Sequence, residues 1–458
     1  MNKEQVVAVL DIGKTNKKFF LFDRDYRVVF QRSLAFPQTL DEDGYECENL
    51  TTIESFLLDT LYELLQSNQY DIQVVNFSTY GASLVHVDEA GKPVVDMFNY
   101  LKPYPEGLLE LLLPDADAQL KFELETCCPI QGNLNSGLQL FRIYHKRKEL
   151  YAKIFRSLHF PQYLSSLLSG QKYSDITSIG CHTSLWDFGK KQYHAWTKEL
   201  DVQSKLAPIK PCDTITHVDF KGYALSVGIG LHDSSAALVP YLKIVKQPFL
   251  LVSTGTWSIT LNPFNSQLLS KKELSQGCLC YLNYQGNPVK ASRVFLGNVY
   301  GREVERIAAH FQLNTDYFHK LTFAKERMQG LSLLDAGYNV GTDILLEHFP
   351  FAATRLDIFP DAETAYYQLM YELVQEQRYF MQIVDMENKV REVFVDGGFG
   401  HNDIFMNMMA MLNPTKKLYA AEVPQSTALG AAMVLGFPNE DGDSRDFTDL
   451  IKVKFYPI

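Results

Sequence analysis

Three short segments of this chain place glycines, in the first two with serine or threonine, where one strand hands over to the next element. The first is Asp11-Ile12-Gly13-Lys14-Thr15-Asn16-Lys17-Lys18. A glycine hairpin of this kind cradles phosphate through backbone N–H groups and hydroxyls, with Lys14 or Lys18 adding charge. It contains Gly-Lys-Thr, yet it is not a Walker loop. The position that must hold the first glycine of that pattern is Ala8, and Phe19–Phe22 reads as strand where a P-loop opens a helix. Asp11 would then sit close enough to hold Mg²⁺ through water. A plain structural turn has the same composition.

The second segment, Ser253-Thr254-Gly255-Thr256-Trp257, offers the same chemistry about half a chain later. Paired with the first loop, it would clasp a polyphosphate from the opposite side. The third, Val395-Asp396-Gly397-Gly398-Phe399-Gly400-His401-Asn402, runs from a strand through a glycine pair into a helix start. Glycines there let the backbone approach a flat ring or a ribose closely, although a glycine pair after a strand also serves purely structural turns. Between the two loops stands His232-Asp233, entering a helix. An aspartate at that place can accept a proton from a substrate hydroxyl, or simply cap the helix. The remaining histidines, His86, His182 and His401 among them, show no spacing of ligand type and read as satisfied surface or core residues.

The elements around these segments read as α/β throughout. Val6–Leu10 is a buried-strand run, Phe19–Phe22 a second strand, Val28–Gln31 a third, and Val74–Ser78 a fourth closed by Gly81. Val85–Val87 and Val94–Val95 flank a hairpin-type turn. Helical spacing appears over residues 52–66, 161–169 and 194–200, and again over the long amphipathic stretch 362–385. Strands at Val393–Val395 and Leu418–Ala420 alternate with helices at 402–412 and 427–435. Phe249–Ser253, the second glycine turn and Trp257–Leu261 repeat the opening order of strand, polar glycine turn, strand. Such a repeat suggests two related α/β domains facing across a cleft; two unrelated hairpins would read the same.

Composition narrows the classes. The chain has 458 residues, 46% hydrophobic and 21% charged, with a net charge of −11. That balance supports a large core and excludes disorder as the main state. It disfavours a nucleic-acid footprint or a polybasic membrane surface. Seven cysteines, with no CxxC and no zinc-finger spacing, read as reduced thiols of a cytoplasmic protein. The opening apolar run is too short for a signal peptide or a membrane span.

Taken together and in this order, the segments resemble the FGGY family of carbohydrate kinases, from about Val6 to Gly436. NSGLQLFRI at 135–143, FPQYLSSLLSG with the following SDITS, and the small-residue STALGAAMVLG at 426–436 add to the match. The resemblance implies an α/β fold of two ribonuclease-H-like domains of the actin and sugar-kinase superfamily, with a cleft between them. Residues 1–243 would form the sugar-binding domain with the first phosphate loop, and 244–458 the nucleotide-binding domain. HDSSAALVP, STGTWS and Gly297-Asn298 followed by Gly301 resemble the rhamnulokinase and fuculokinase branch. By that analogy Asp233 is the catalytic base, and Gly81, His232, Ser234 and Asn298 contact the sugar. Gly13, Lys14, Thr15, Lys18, Thr254, Gly255, Thr256, Gly397, Gly398 and Asn402 contact the nucleotide, and Asp11 holds the metal.

The implied activity moves the γ-phosphoryl of ATP, with Mg²⁺, to a ketose hydroxyl. The expected acceptor is O1 of a 6-deoxy-ketose such as L-rhamnulose or L-fuculose. Xylulose, ribulose or glycerol as acceptor, or a silent sugar or nucleotide sensor, are the alternatives. The implied partner is a small sugar, with no nucleic acid and no membrane, and a homodimer is compatible with it. Departures from the family lie at Lys14, where threonine is common, at Lys18, where arginine is common, and at Tyr80.

Overall fold

Val6 to Leu10 have no polar face, and the strand they form, Glu4–Ile12, is buried over its whole middle. A strand with two apolar faces belongs at the centre of a covered sheet. In the computed structural model, which describes residues 3–14, 16–341, 343–437 and 447–457, it takes that place. It pairs antiparallel with Lys17–Phe22, which pairs antiparallel with Val28–Leu34. On its other side it pairs in parallel with Tyr70–Thr79. The sheet continues through Tyr223–Gly228 to Ile215–Phe220, and the short strand Leu231–His232 lies along the end of Tyr70–Thr79. The helix Leu50–Gln66 starts at Asn49, whose side chain accepts from the Thr52 N–H, and buries Ile53, Phe56, Leu57, Leu61, Leu64 and Leu65. These side chains join the opening strand in one core.

The chain divides into two units. The first comprises Met1–Ile244, Cys280–Pro288 and Pro424–Leu450, and the second Val245–Leu279, Val289–Val423 and Ile451–Ile458. The second unit repeats the strand plan. Phe249–Thr254 pairs antiparallel with Ser258–Asn262, which pairs antiparallel with Pro288–Val294. On its other side Phe249–Thr254 pairs in parallel with Glu392–Gly397, and the sheet runs on through Lys417–Glu422 to Lys452–Tyr456. Both sheets therefore flank their opening strand with its own hairpin partner on one side and a parallel strand on the other. That is the α/β architecture expected, with the glycine turns at equivalent places.

Two helices position chemistry in the first unit. Asp233–Ile244 follows directly on the short strand Leu231–His232. Ser426–Leu435, the small-residue helix near the end of the sequence, packs on it. A Cβ added at Gly430 would lie 1.8 Å from the Ala236 carbonyl oxygen. Only glycine lets the two backbones approach this closely. All seven cysteines are buried and no disulfide joins them. No helix among the described residues is long and apolar enough to cross a membrane.

Candidate active site

The strand register of the first unit brings three strand ends level. Ser78 is the cross-strand partner of both Asp11 and Leu231, and Thr79 is the partner of both Ile12 and His232. Asp233, the next residue, opens its helix beside Asp11. Carboxyl ends of parallel strands are where open α/β sheets place their ligands. Bonds converge on one oxygen of Asp233: Oδ1 accepts from the Ser234 N–H at 2.6 Å and from Ser234 Oγ at 3.2 Å, and His232 Nε2 lies 3.2 Å away. Burial pushes the Asp233 carboxyl up to about 6, against the opposing pull of Ser234. Burial also holds His232 down at about 4, so near neutrality its ring is uncharged. The contact is thus an imidazole N–H donating to a carboxylate rather than an ion pair.

Asp11 is held at about 6 as well, chiefly by burial and further by the charge of Asp233. Thr427 Oγ1, from the N-terminal turn of the small-residue helix, donates to Asp11 Oδ2 at 2.8 Å and opposes the rise, as does the Lys18 ammonium. Lys18 Nζ in turn donates to Gln425 Oε1 at 3.2 Å. Two carboxylates with raised pKa, the charge of Asp233 adding to the rise at Asp11, and a single lysine among the charges acting on Asp11 leave a surplus of negative charge. Hard oxygen donors of this kind suit Mg²⁺.

Around this pair the first unit builds an aromatic wall. Gly81 lies against the pair's histidine: a Cβ there would stand 2.8 Å from His232 Cδ2 and 3.3 Å from Cys181 Sγ. The rings of Tyr80 and Tyr100 meet edge to face at 5.9 Å. Lys14 extends its ammonium over both, 5.7 and 5.3 Å from their centroids, and 3.8 Å from Glu48. Burial lowers the Lys14 pKa, with Lys17 pushing the same way against Glu48. Burial raises the Tyr100 hydroxyl, and the charges of Asp233 and Glu48 add to it. Gly13 closes its turn by donating to the Asn16 carbonyl at 2.9 Å. Thr15 lies outside the described residues.

In the second unit the strand ends Thr254 and Gly397 are direct partners. Gly397 adopts φ +88°, and a Cβ there would lie 1.9 Å from the Thr254 carbonyl oxygen, so glycine is required. Thr254 Oγ1 donates to the Asp396 carbonyl at 2.6 Å and accepts from the Phe399 N–H at 3.1 Å. Its hydroxyl ties the two glycine turns together. Gly255 donates to the Trp257 carbonyl, and Asn298 donates its backbone N–H to the Thr256 carbonyl at 3.1 Å. Thr256 and Gly255 are exposed at the turn. Asn402 caps the helix Asp403–Leu412 by accepting from the Phe405 N–H, and donates to the Tyr366 hydroxyl at 2.8 Å. A cavity of about 300 Å³ opens between these turns, walled by Tyr300, Phe318, Leu321 and Phe399, with Gly398 and Asn402 at its polar side.

The structure therefore gathers Asp11, Lys18, Gly81, His232, Asp233 and Ser234 in the first unit. It gathers Thr254, Gly255, Gly398 and Asn402 around the cavity of the second, while Asn298 is tied to the turn beside it through the Thr256 carbonyl. Sequence reasoning missed Thr427 and Gln425, which lie some 400 residues along the chain from their partners Asp11 and Lys18. It also missed the aromatic walls, whose residues carry no spacing signal. His182, read as an ordinary surface or core residue, is brought beside Cys181 and His232. His401 lines the cavity of the second unit, while His86 is buried against Ser157 Oγ.

Comparison with known proteins shows the family. The model of the FGGY N-terminal domain matches residues 6–238, and that of the FGGY carbohydrate kinase C-terminal domain matches residues 246–444. A rhamnulokinase of Halalkalibacterium halodurans is 22% identical over 260 residues, covering 55% of this chain and 54% of the relative, about half its length. A rhamnulokinase of Oceanobacillus iheyensis is 21% identical over 413 residues, covering 86% of this chain and 84% of the relative. The crystal structure of a carbohydrate kinase from Novosphingobium aromaticivorans shares the fold with a TM-score of 0.77 at 20% identity, covering 100% of this chain and 95% of that one.

Proposed function

Because the chain belongs to the FGGY family of carbohydrate kinases, we propose that it transfers the γ-phosphoryl of ATP to a primary hydroxyl of a ketose, O1 of a 6-deoxy-ketose in the first instance. The observation that carries this reading is Asp233. Its carboxylate stands at the level of three strand ends, bonded by a neutral His232, with a pKa of about 6. Such a group is about nine-tenths ionised at pH 7 and ready to accept a hydroxyl proton.

In this reading His232 orients Asp233 toward the acceptor hydroxyl, and Gly81 and Ser234 border the sugar. The transition state of phosphoryl transfer is loose, so Asp233 aligns the hydroxyl and takes its proton late. The Tyr80 and Tyr100 rings offer an apolar surface of the sort a deoxy-sugar methyl would need. The two rhamnulokinase relatives and the His-Asp pair support the same choice of acceptor. In the first unit the Gly13 turn with Lys18, and in the second the Thr256 turn, would each hold phosphate by N–H groups and charge, and the aromatic cavity of the second unit would take the base. Asp11 would hold Mg²⁺ through water, and the ion, when bound, supplies neutralising charge to the phosphate oxygens. Water kept from the acceptor position prevents wasteful hydrolysis.

The test is an ADP-release assay over L-rhamnulose, L-fuculose, xylulose, ribulose and glycerol, with the product phosphorylation site read by NMR. Preferred turnover of a 6-deoxy-ketose to its 1-phosphate is expected. Preference for xylulose, ribulose or glycerol would overturn the choice of sugar. Sugar binding without sugar-dependent ATP turnover would overturn the kinase reading in favour of a sensor.

A further inference from the structure

Cys181, His182 and His232 each present one ligand atom, and the three atoms lie within 4.8 Å of one another. They come from two places in the sequence: Cys181 and His182 follow the short helix Ile176–Ile179, and His232 ends the strand beside Thr79. It is the only such set of three among the described residues. The cysteine and His232 are buried, and His182 is half-buried. The rings of His182 and His232 stand 5.9 Å apart, both against Tyr281.

Two further observations point to a ligand. His232 Nδ1 is buried and has no hydrogen-bond partner, and a buried polar atom without a partner costs free energy that a ligand would recover. His232 Nε2 is already bonded to a carboxylate, Asp233, and carboxylate-backed histidine is the usual arrangement behind a metal-ligating imidazole. Gly81 packs closely on this cluster: a Cβ there would lie 2.8 and 2.9 Å from His232 Cδ2 and Nε2 and 3.3 Å from Cys181 Sγ.

We propose that Cys181, His182 and His232 form a binding site for a soft divalent cation of the Zn²⁺ type. One thiolate and two imidazoles are the donors such an ion selects, and three protein ligands leave a fourth position for water or an oxygen of a second ligand. In tetrahedral Zn²⁺ geometry the ligand atoms lie about 3.3–3.6 Å apart, so side-chain rotation need draw them in by no more than about 1.5 Å. On binding, the Cys181 S–H bond breaks, its proton goes to solvent, and the sulfur pair passes to the ion. The Asp233 carboxylate remains as a partner of the coordinated His232.

A consequence follows that rests on the proposed kinase reading. His232 would be engaged by the ion and withdrawn from the sugar, so Zn²⁺ would inhibit turnover in competition with the sugar. The experiment separates the two claims. Zn²⁺ binding to the metal-stripped full chain is measured by equilibrium dialysis and calorimetry, without sugar or nucleotide. The wild type is expected to bind one Zn²⁺, at least tenfold tighter than either Cys181→Ser or His182→Asn, with both variants confirmed as folded by thermal melting. Binding that is unchanged in both variants, or no binding above that of a surface site, overturns the proposal whatever the enzyme's activity. In the kinase assay, micromolar Zn²⁺ should raise the apparent KM for sugar in the wild type and not in His182→Asn, and EDTA should reverse the effect. Inhibition of equal strength in that variant would overturn the competitive role.

Discussion

Replacing Asp233 with asparagine should remove turnover and at the same time stabilise the protein, and the two effects have different pH windows. The carboxyl titrates near 3.8 in an unfolded chain and at about 6 in the fold, because burial disfavours its charge. A raised folded pKa means that stability is full below about 3.8 and is lost as pH rises through about 6. The difference of roughly two units amounts to about 3 kcal/mol above that range. The side chain is 30% exposed, so solvent screening makes this an upper bound. Asparagine keeps the shape and carries no charge, so Asp233→Asn should melt higher than the wild type at pH 7.5. At pH 4 the gain should shrink to under about 1 kcal/mol. In the ADP-release assay the same variant should lose about 10²–10⁴ in kcat by removal of the base alone, and more through lost alignment, while sugar and ATP still bind. Wild-type kcat/KM should fall about tenfold per pH unit below pH 6. A variant that melts lower at pH 7.5, or one that turns over within tenfold of the wild type, would refute the reasoning.

Gly81→Ala should raise the KM for sugar about tenfold with little change for ATP, because the new methyl meets the His232 ring at 2.8 Å; steady-state kinetics with each substrate varied checks this. Gly430→Ala should cost about 1–3 kcal/mol and lower kcat, since the added Cβ would lie 1.8 Å from the Ala236 carbonyl and must push aside the helix that begins with Asp233. Thermal melting and kcat should fall together there, and a variant that melts and turns over like the wild type would show that the helices separate freely. Tyr300→Ala should weaken ATP binding by about 1–3 kcal/mol, the usual worth of an aromatic face under a base, and leave the KM for sugar unchanged; calorimetric titration with ATP reads it directly.

Much of the scaffold was legible because its causes are local. A run such as Val6–Leu10 has no polar side to turn to water, and the polar glycine turn after it can do little but reverse the chain. The long helix Ala362–Val384 announces itself through Ala365, Leu369, Leu373, Phe380 and Val384 on its buried side. The small-residue helix Ser426–Leu435 was legible as a helix but not in its placement. Its glycine marks a close approach to another backbone, and nothing in the sequence says that the other backbone is at Ala236.

The same distinction explains the site. Residue types named the chemistry at Asp11, Asp233 and the glycine turns, because phosphate cradles and bases need particular groups wherever they occur. What each group does depends on partners that the sequence separates widely. Thr254 looks like a phosphate hydroxyl but spends that hydroxyl on Asp396 and Phe399. Lys14 looks like a phosphate lysine but stretches over two tyrosines. Asp11 looks like an ordinary turn aspartate until burial and the charge of Asp233 act on it, and burial likewise takes Asp233 away from its usual acidity. That pairing costs stability and is offset only in part by Thr427 and Lys18. A fold that keeps two carboxylates of raised pKa at its strand ends, where an asparagine would carry no charge to bury, holds them there for what the charges do to a ligand.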